Sequence, residues 1–545
     1  MQFGKLSVVL TAATLLACQS NNDKDAGLQY PLVERGDQVD DYHGVSVPDP
    51  YRWMESDTPE LGAWVDAQNA LAEPLLAESG ARQYFIERLT ALWNYERIGA
   101  PRKYGDYYFY THNDGEQDHD ILYRSSAPGV DGVPVLDPNT FSDDATVALS
   151  RYSISKDGSY IAYASSDGGT DWVSWRIRDV QSGKDLREEL KGSKFTSASW
   201  MPDNSGFYYS RYPFNEAGDY DDSQKVQVYF HPLGEPQSND VQVYSLEDHP
   251  TRNPYAEVTK DGRFLLLSVF DGFAENGIRM LDLSKPGAKV RDLLYDWDGL
   301  YYYLGQNGDE LFFRTSANAP RGKVIAANVR TLERRVVVEQ RELAIDAATM
   351  VGKELVVSYL KDVKNRVYRY GADGEFVAEL SMPGDGTVSG FREGADTSET
   401  FFKFTNHLAP GALYRLDLES GKAALLRAPD SGFEADKFEQ RQVFYNSKDG
   451  TLIPMYLVHK KGLKADGSHP TILYGYGGFN VSLTPSYSTP RSVWLEAGGV
   501  IAIPNLRGGG EYGAAWHEAG TKLKKQNVFD DFIAAAKWLV ENDIA

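Results

Sequence analysis

Two glycine-rich loops carry the residues best suited to chemistry. In the first, an apolar run ending at Ile472 and Leu473 passes into Tyr474-Gly475-Tyr476-Gly477-Gly478-Phe479. Glycines let a backbone turn sharply at the C-terminal end of a strand, where open α/β sheets build their sites. A tyrosine hydroxyl there is a good donor to developing negative charge, so Tyr474 or Tyr476 could line an oxyanion hole for acyl transfer. The competing reading makes both tyrosines core aromatics with polar tips. The second loop runs from Asn505 through Gly508, Gly509 and Gly510 to Gly513, again straight after an apolar strand. Glycine loops cradle phosphates, but no Lys-Ser/Thr follows these glycines and no acid stands at the dinucleotide-fingerprint distance. The stretch HNDGEQDHD, residues 112–120, offers oxygen and imidazole ligands without calcium-loop spacing or HExxH order. It reads as a polar loop, and neither a metal nor a cofactor is expected.

The segments that must position these loops fall into three textures. Up to about Trp93 the pattern is mainly helical, with Leu61, Trp64, Val65, Ala67, Leu71, Leu75 and Leu76 at helical spacing and Pro74 set to break or kink the helix. From about Tyr104 short strands alternate with turns, and one unit recurs near residues 104, 154, 198, 256, 304, 350 and 394. Each unit places a Gly/Asp/Asn turn, such as Asp157-Gly158 or Asp261-Gly262, before an aromatic and aliphatic strand. A spacing of roughly 45–57 residues suits four-stranded propeller blades. Seven units predict a seven-bladed β-propeller in preference to two β-sandwiches, which do not require repetition. After about Asp430 strands alternate with helices, and runs such as GVIAIPN suit strands covered on both faces, so an α/β sheet is expected. In the last helix Phe529, Phe532, Ile533, Ala536, Leu539 and Val540 fall at helical spacing.

The length of 545 residues requires more than one domain. A formal net charge of -22 argues against binding nucleic acid, or an anionic membrane surface, through bulk electrostatics. The 34 Tyr, 24 Phe and 10 Trp favour strands. The single cysteine, Cys18, follows Lys5 and an apolar stretch from Leu6 to Ala17, which reads as a secretory signal too short to span a membrane. The tetrapeptide LLAC resembles a bacterial lipobox, although Leu16 is not the usual small residue at its position. On that reading Cys18 is lipidated, and the protein is exported, periplasmic and anchored to the outer membrane. The polar stretch after it is a flexible tether, and the mature body has no disulfide.

Over nearly its whole mature length the sequence resembles the prolyl oligopeptidases. The resemblance is carried by YPLVERGDQVDDYHGVSVPDPYRWME, WVDAQN, LDPNTFSDDATVALSRYSISKDGSYIAYASSDGGTDWV, FYNSKDGTLIPMYLVHKKG, GSHPTILYGYGGFN, IPNLRGGGEYGAAWHEAG and KKQNVFDDFIAAAKWL. It implies an α/β-hydrolase domain, an N-terminal segment packed on it, and a seven-bladed propeller capping the active site. Expected boundaries are a signal at 1–17, tether at 18–28, N-terminal segment at 29–103, propeller at 104–430, and the first part of the hydrolase domain at 431–545. Tyr476 matches the family's oxyanion-hole tyrosine, and Phe479 matches an aromatic lining the pocket for substrate proline. YGYGGFN is more similar to the proline-directed enzymes than to the relatives that cut after Lys or Arg.

The departure from the family lies in the nucleophile. No G-x-S-x-G elbow occurs in residues 1–545, and the family's Asp and His follow that serine. Neither His459 nor His517 matches the family's catalytic histidine, so both are read as structural or surface groups. The resemblance thus implies a monomeric serine endopeptidase cutting short peptides after proline, with residues 1–545 inactive by themselves. The alternatives are an oligopeptidase of another preference, or a non-catalytic propeller protein that binds peptides.

Overall fold

The computed structural model describes residues 28–545, except 216, 219, 222–224, 247–248, 250, 273–274 and 393–397. Lys5 and Cys18 lie outside the described residues. The chain forms two compact units, Met1–Glu87 and Arg88–Ala545. In the first, the strands Val39–Tyr42 and Val45–Pro48 form a hairpin. The helix Pro59–Ala77 begins at Thr58, whose hydroxyl accepts the Leu61 N–H at 3.3 Å. Pro74 sits in its last turn and neither breaks nor shortens it before Ala77. A proline there forfeits one helical hydrogen bond just where the helix is ending.

The second unit opens its sheets with seven antiparallel blades at 97–136, 147–194, 199–244, 252–294, 301–338, 344–380 and 387–427. Each of the seven recurrent units falls in a different blade, so the period read from sequence is the blade repeat. The Asp turns recur because one carboxylate closes each of them. Asp157 Oδ1 accepts the Ser159 N–H at 3.0 Å and the Ser155 hydroxyl at 2.8 Å. Asp261 does the same for Arg263 and Thr259. In the first blade the innermost strand is split at Gly99–Pro101 into Arg97–Ile98 and Arg102–Tyr104, both paired with Tyr107–Asn113.

Every neighbouring pair of blades has its own apolar cluster. Among the described residues no late strand completes the first blade, so side chains alone join the seventh blade to it. Tyr108, Phe401 and Leu413 form that small cluster, and the Tyr108 hydroxyl donates to Glu399 Oε1 at 2.5 Å. Arg427 adds an ion pair to Glu96 at 2.6 Å.

The hydrolase portion is a four-stranded sheet in the spatial order Phe438–Asn446, Leu452–Lys460, Val500–Pro504, Thr471–Leu473. The last pair is parallel and the others antiparallel. Val500–Pro504 is buried throughout, as its unbroken apolar run requires. The closing helix Gln526–Glu541 turns Val528, Asp531, Ala535 and Leu539 inward. Of the six apolar residues read at helical spacing only Leu539 is buried, while Phe529, Ile533 and Val540 are exposed. The helix carries apolar residues on two faces, and its period cannot say which one meets the sheet. Arg88 clamps this portion through a two-pronged bond to Glu496 at 2.8 and 2.9 Å.

Residues of the fifth, sixth and seventh blades meet the hydrolase portion. The Ala514 N–H donates to the Pro320 carbonyl at 2.6 Å, Gln442 Nε2 to the Asp362 carbonyl at 2.8 Å, and the Thr387 hydroxyl to the Pro485 carbonyl at 2.7 Å.

Candidate active site

The loop from Tyr474 to Asn480 leaves the C-terminal end of Thr471–Leu473, with the Tyr474 N–H still bonded to the Ala502 carbonyl at 2.9 Å. Its glycines answer to close packing. A Cβ on Gly477, whose φ is +63°, would stand 2.4 Å from Val528 Cγ1. One on Gly508, at φ +94°, would stand 2.6 Å from the Gly477 carbonyl oxygen. The two glycine loops therefore lie backbone against backbone, which explains the second run better than any bound anion. A Cβ on Gly478 would meet only Lys525 Nζ at 3.8 Å, so space does not demand glycine there.

Beyond the glycines Phe479 and Asn480 take φ of 54° and 58°. Two successive non-glycine residues in the left-handed region are strained, and such strain persists where surrounding contacts over-determine it. Those contacts are on hand. The Asn480 N–H donates to the Gly508 carbonyl at 3.1 Å, and His517 Nδ1 lies 2.7 Å from the same oxygen. His517 Nδ1 also sits 3.1 Å from the Asn480 nitrogen. With a proton on Nδ1 donated to Gly508, both groups share one acceptor and pin the loop. Lys525 Nζ adds a bond to the Gly477 carbonyl at 2.7 Å.

The strained turn brings Tyr476 and Phe479 together on the surface, ring centroids 6.3 Å apart and 46% and 61% exposed. These exposures remove the reading of Tyr476 as a core aromatic. Its hydroxyl has no hydrogen-bond partner among the described residues. Tyr474, the other candidate donor, is half-exposed beneath the Arg491 guanidinium, 5.2 Å from its ring centroid. His459 is buried and accepts from Arg441 Nε at 3.1 Å, away from the loop. His112 pairs with Glu96 at 2.9 Å, and His119 Nε2 meets the Ala145 carbonyl at 3.1 Å.

Two buried polar clusters hold the second loop. Glu511 Oε1 accepts from the Leu483 N–H at 3.0 Å and from Asn505 Nδ2 at 3.2 Å, and burial pushes its pKa up. Arg507 binds Asp531 at 2.6 Å and Asp449 at 2.5 Å. Burial works against its charge, yet those hydrogen bonds outweigh burial and raise its pKa. The Arg507 hydrogen bond in turn holds Asp449 at about 2. His517, read from sequence as a structural or surface group, holds the Tyr476 loop, whereas sequence reading did not single out Lys525 or the arginine cluster.

Residues 31–429 match the model of the prolyl oligopeptidase N-terminal beta-propeller domain, and residues 485–545 match that of the prolyl oligopeptidase family. The chain belongs to the prolyl oligopeptidase family. It is 37% identical over 550 residues to a prolyl endopeptidase of Elizabethkingia miricola, across 99% of this chain and 77% of that protein. A structure solved in a mechanistic study of two prolyl endopeptidases superposes with a TM-score of 0.89 at 33% identity, covering 94% of this chain and 77% of that one. Prolyl oligopeptidase B of Galerina marginata, bound to a 35mer hydrolysis and macrocyclization substrate, gives 0.88 at 31% identity over 95% and 77%. Prolyl oligopeptidases are serine peptidases, and this chain covers part of their hydrolase domain.

Proposed function

We propose that this chain is the propeller and first hydrolase portion of a serine endopeptidase that cuts short peptides on the carboxyl side of proline. The observation that carries the reading is the free Tyr476 hydroxyl beside the exposed Phe479 ring, on a strained loop at the end of a parallel strand. In acyl transfer a serine attacks the scissile carbonyl, histidine relays the proton, and oxyanion donors stabilise the tetrahedral intermediate. Tyr476 supplies one such donor and Phe479 an apolar wall for the proline ring. The serine elbow is not among residues 1–545, and those residues by themselves are expected to leave proline peptides uncut.

The test is kcat and KM for a proline peptide in the enzyme carrying the serine elbow. Tyr476→Phe keeps the ring and removes the donor, so kcat should fall about 10²–10³-fold with KM little changed. Phe479→Ala should instead raise KM. Parental turnover in Tyr476→Phe would reduce the tyrosine to packing.

Export as a monomeric lipoprotein belongs to the same proposal. Lys5, the apolar stretch and LLAC support a periplasmic protein tethered to the outer membrane through Cys18. Intact mass of detergent-extracted protein should show a diacylglyceryl-type adduct on Cys18, and an unmodified protein starting elsewhere would refute it.

A further inference from the structure

A cavity of 190 Å³ lies between propeller and hydrolase, beside the loop that carries Tyr476 and Phe479. Asn480 and His517 line its hydrolase side, and Arg314 and Tyr302 of the fifth blade and Asp346 of the sixth line its propeller side. Arg314 differs from the arginines around it. Arg335 forks onto Glu310 at 2.7 and 2.7 Å, and Arg369 onto Glu354 at 2.7 and 2.9 Å, each within one sheet. Arg314 has no carboxylate within 4.0 Å among the described residues. Its Nη1 donates to the Asp346 main-chain carbonyl, and its guanidinium stacks 4.6 Å from the Tyr302 ring centroid. The Asp346 carboxyl is turned to Asn365 Nδ2 at 3.0 Å. Arg321 and Glu518 also line the cavity, so its formal charges balance and no general anion trap results.

A partly buried guanidinium with no carboxylate in hydrogen-bond contact is costly to keep, and burial, offset only in part by Tyr302 and the more distant Asp346 charge, pulls the Arg314 pKa down. The stack on Tyr302 and the bond to the Asp346 carbonyl fix the plane of the group, which suits the two oxygens of a carboxylate. Asn480, which directly follows Phe479, lines this cavity, so the cavity adjoins the loop that carries that ring.

We propose that Arg314 binds a carboxylate of the peptide substrate, its C-terminal group or an Asp or Glu side chain, and so sets a preference for acidic peptide ends. The assignment rests on the peptidase reading of the neighbouring loop. Proline peptides of one sequence, ending either in a free carboxylate or in an amide, test it in the enzyme carrying the serine elbow. The parent should favour the free acid by roughly 10–100-fold in kcat/KM, the size of one charged hydrogen bond. In Arg314→Met the acid-to-amide ratio should fall to about one, while Arg314→Lys, which keeps charge without the fork, should stand between. Raising salt should weaken KM for the acid more than for the amide. A parent that treats both peptides alike, or an Arg314→Met enzyme that keeps the parental ratio, overturns the assignment. Failure to cut even the amide peptide would instead overturn the peptidase reading on which it stands.

Discussion

At the scale of single residues, charge placement around the second glycine loop makes stability depend on pH. Asp449 is held at about 2 by Arg507, below the usual carboxylate range, although its side chain is 47% exposed. A depressed folded pKa contributes stability that is present above about pH 4 and lost as pH falls toward 2. Discounted for solvent screening, the contribution is about 1 kcal/mol. Asp449→Asn should therefore lower the urea midpoint at pH 7, and its gap from the parent should narrow below pH 4. A gap that stays constant down to pH 3 would show that Asp449 acts by shape alone. Arg507 keeps Asp531 in either case, so the loop itself should survive the change.

The junction of elements holds a second titrating group. His407, on a loop of the seventh blade, packs edge-on against Tyr456 of the Leu452–Lys460 strand, centroids 5.0 Å apart. Burial, helped by the charge of Arg491, pulls its pKa down to about 4. Between pH 6.5 and 4 the unfolded chain takes up a proton that the folded one refuses, so stability falls as pH falls. The loss amounts to about 3 kcal/mol across that window. His407→Phe keeps an aromatic against Tyr456 and removes the titration. Its unfolding midpoint should fall less than the parent's between pH 7 and pH 4, measured by denaturant titration at each pH. Parallel curves would remove His407 from the acid sensitivity of the junction.

Over the whole molecule, apolar burial is uneven. Seven clusters close the propeller ring, whereas the hydrolase portion leaves Phe529, Ile533 and Val540 exposed on its closing helix and Ile472 half-exposed on an edge strand. Exposed apolar faces and an unpaired strand edge favour association. Residues 1–545 produced by themselves should therefore aggregate, or be trimmed by protease after about residue 430 while the propeller resists. Ile533→Lys places a charge on the exposed face and should raise the soluble fraction of this chain. Equal solubility of parent and Ile533→Lys chains by sedimentation would exonerate the face.

The repeat was legible because it is local: turn residues such as Asp157 and Asp261 act within a few positions, and the strand that follows each turn shows its own period. The first glycine loop was legible for the same reason, and Gly477 stands where the backbone requires it. The partner of that glycine, Gly508, was not. Its role depends on a carbonyl oxygen 31 positions earlier, and no pattern along the chain encodes that approach. His517 and Lys525 pin the Tyr476 loop from still farther away, and Arg314 meets the same region from another domain. The closing helix makes the point most simply. Its period announced apolar residues at helical spacing, but only packing against the sheet chose Val528, Ala535 and Leu539 over Phe529 and Ile533. Sequence determined the elements and the residue types available to each, because turns and periods are near-neighbour physics. Tertiary structure decided which of those residues share a surface, because burial and hydrogen bonding join groups that the chain itself keeps far apart.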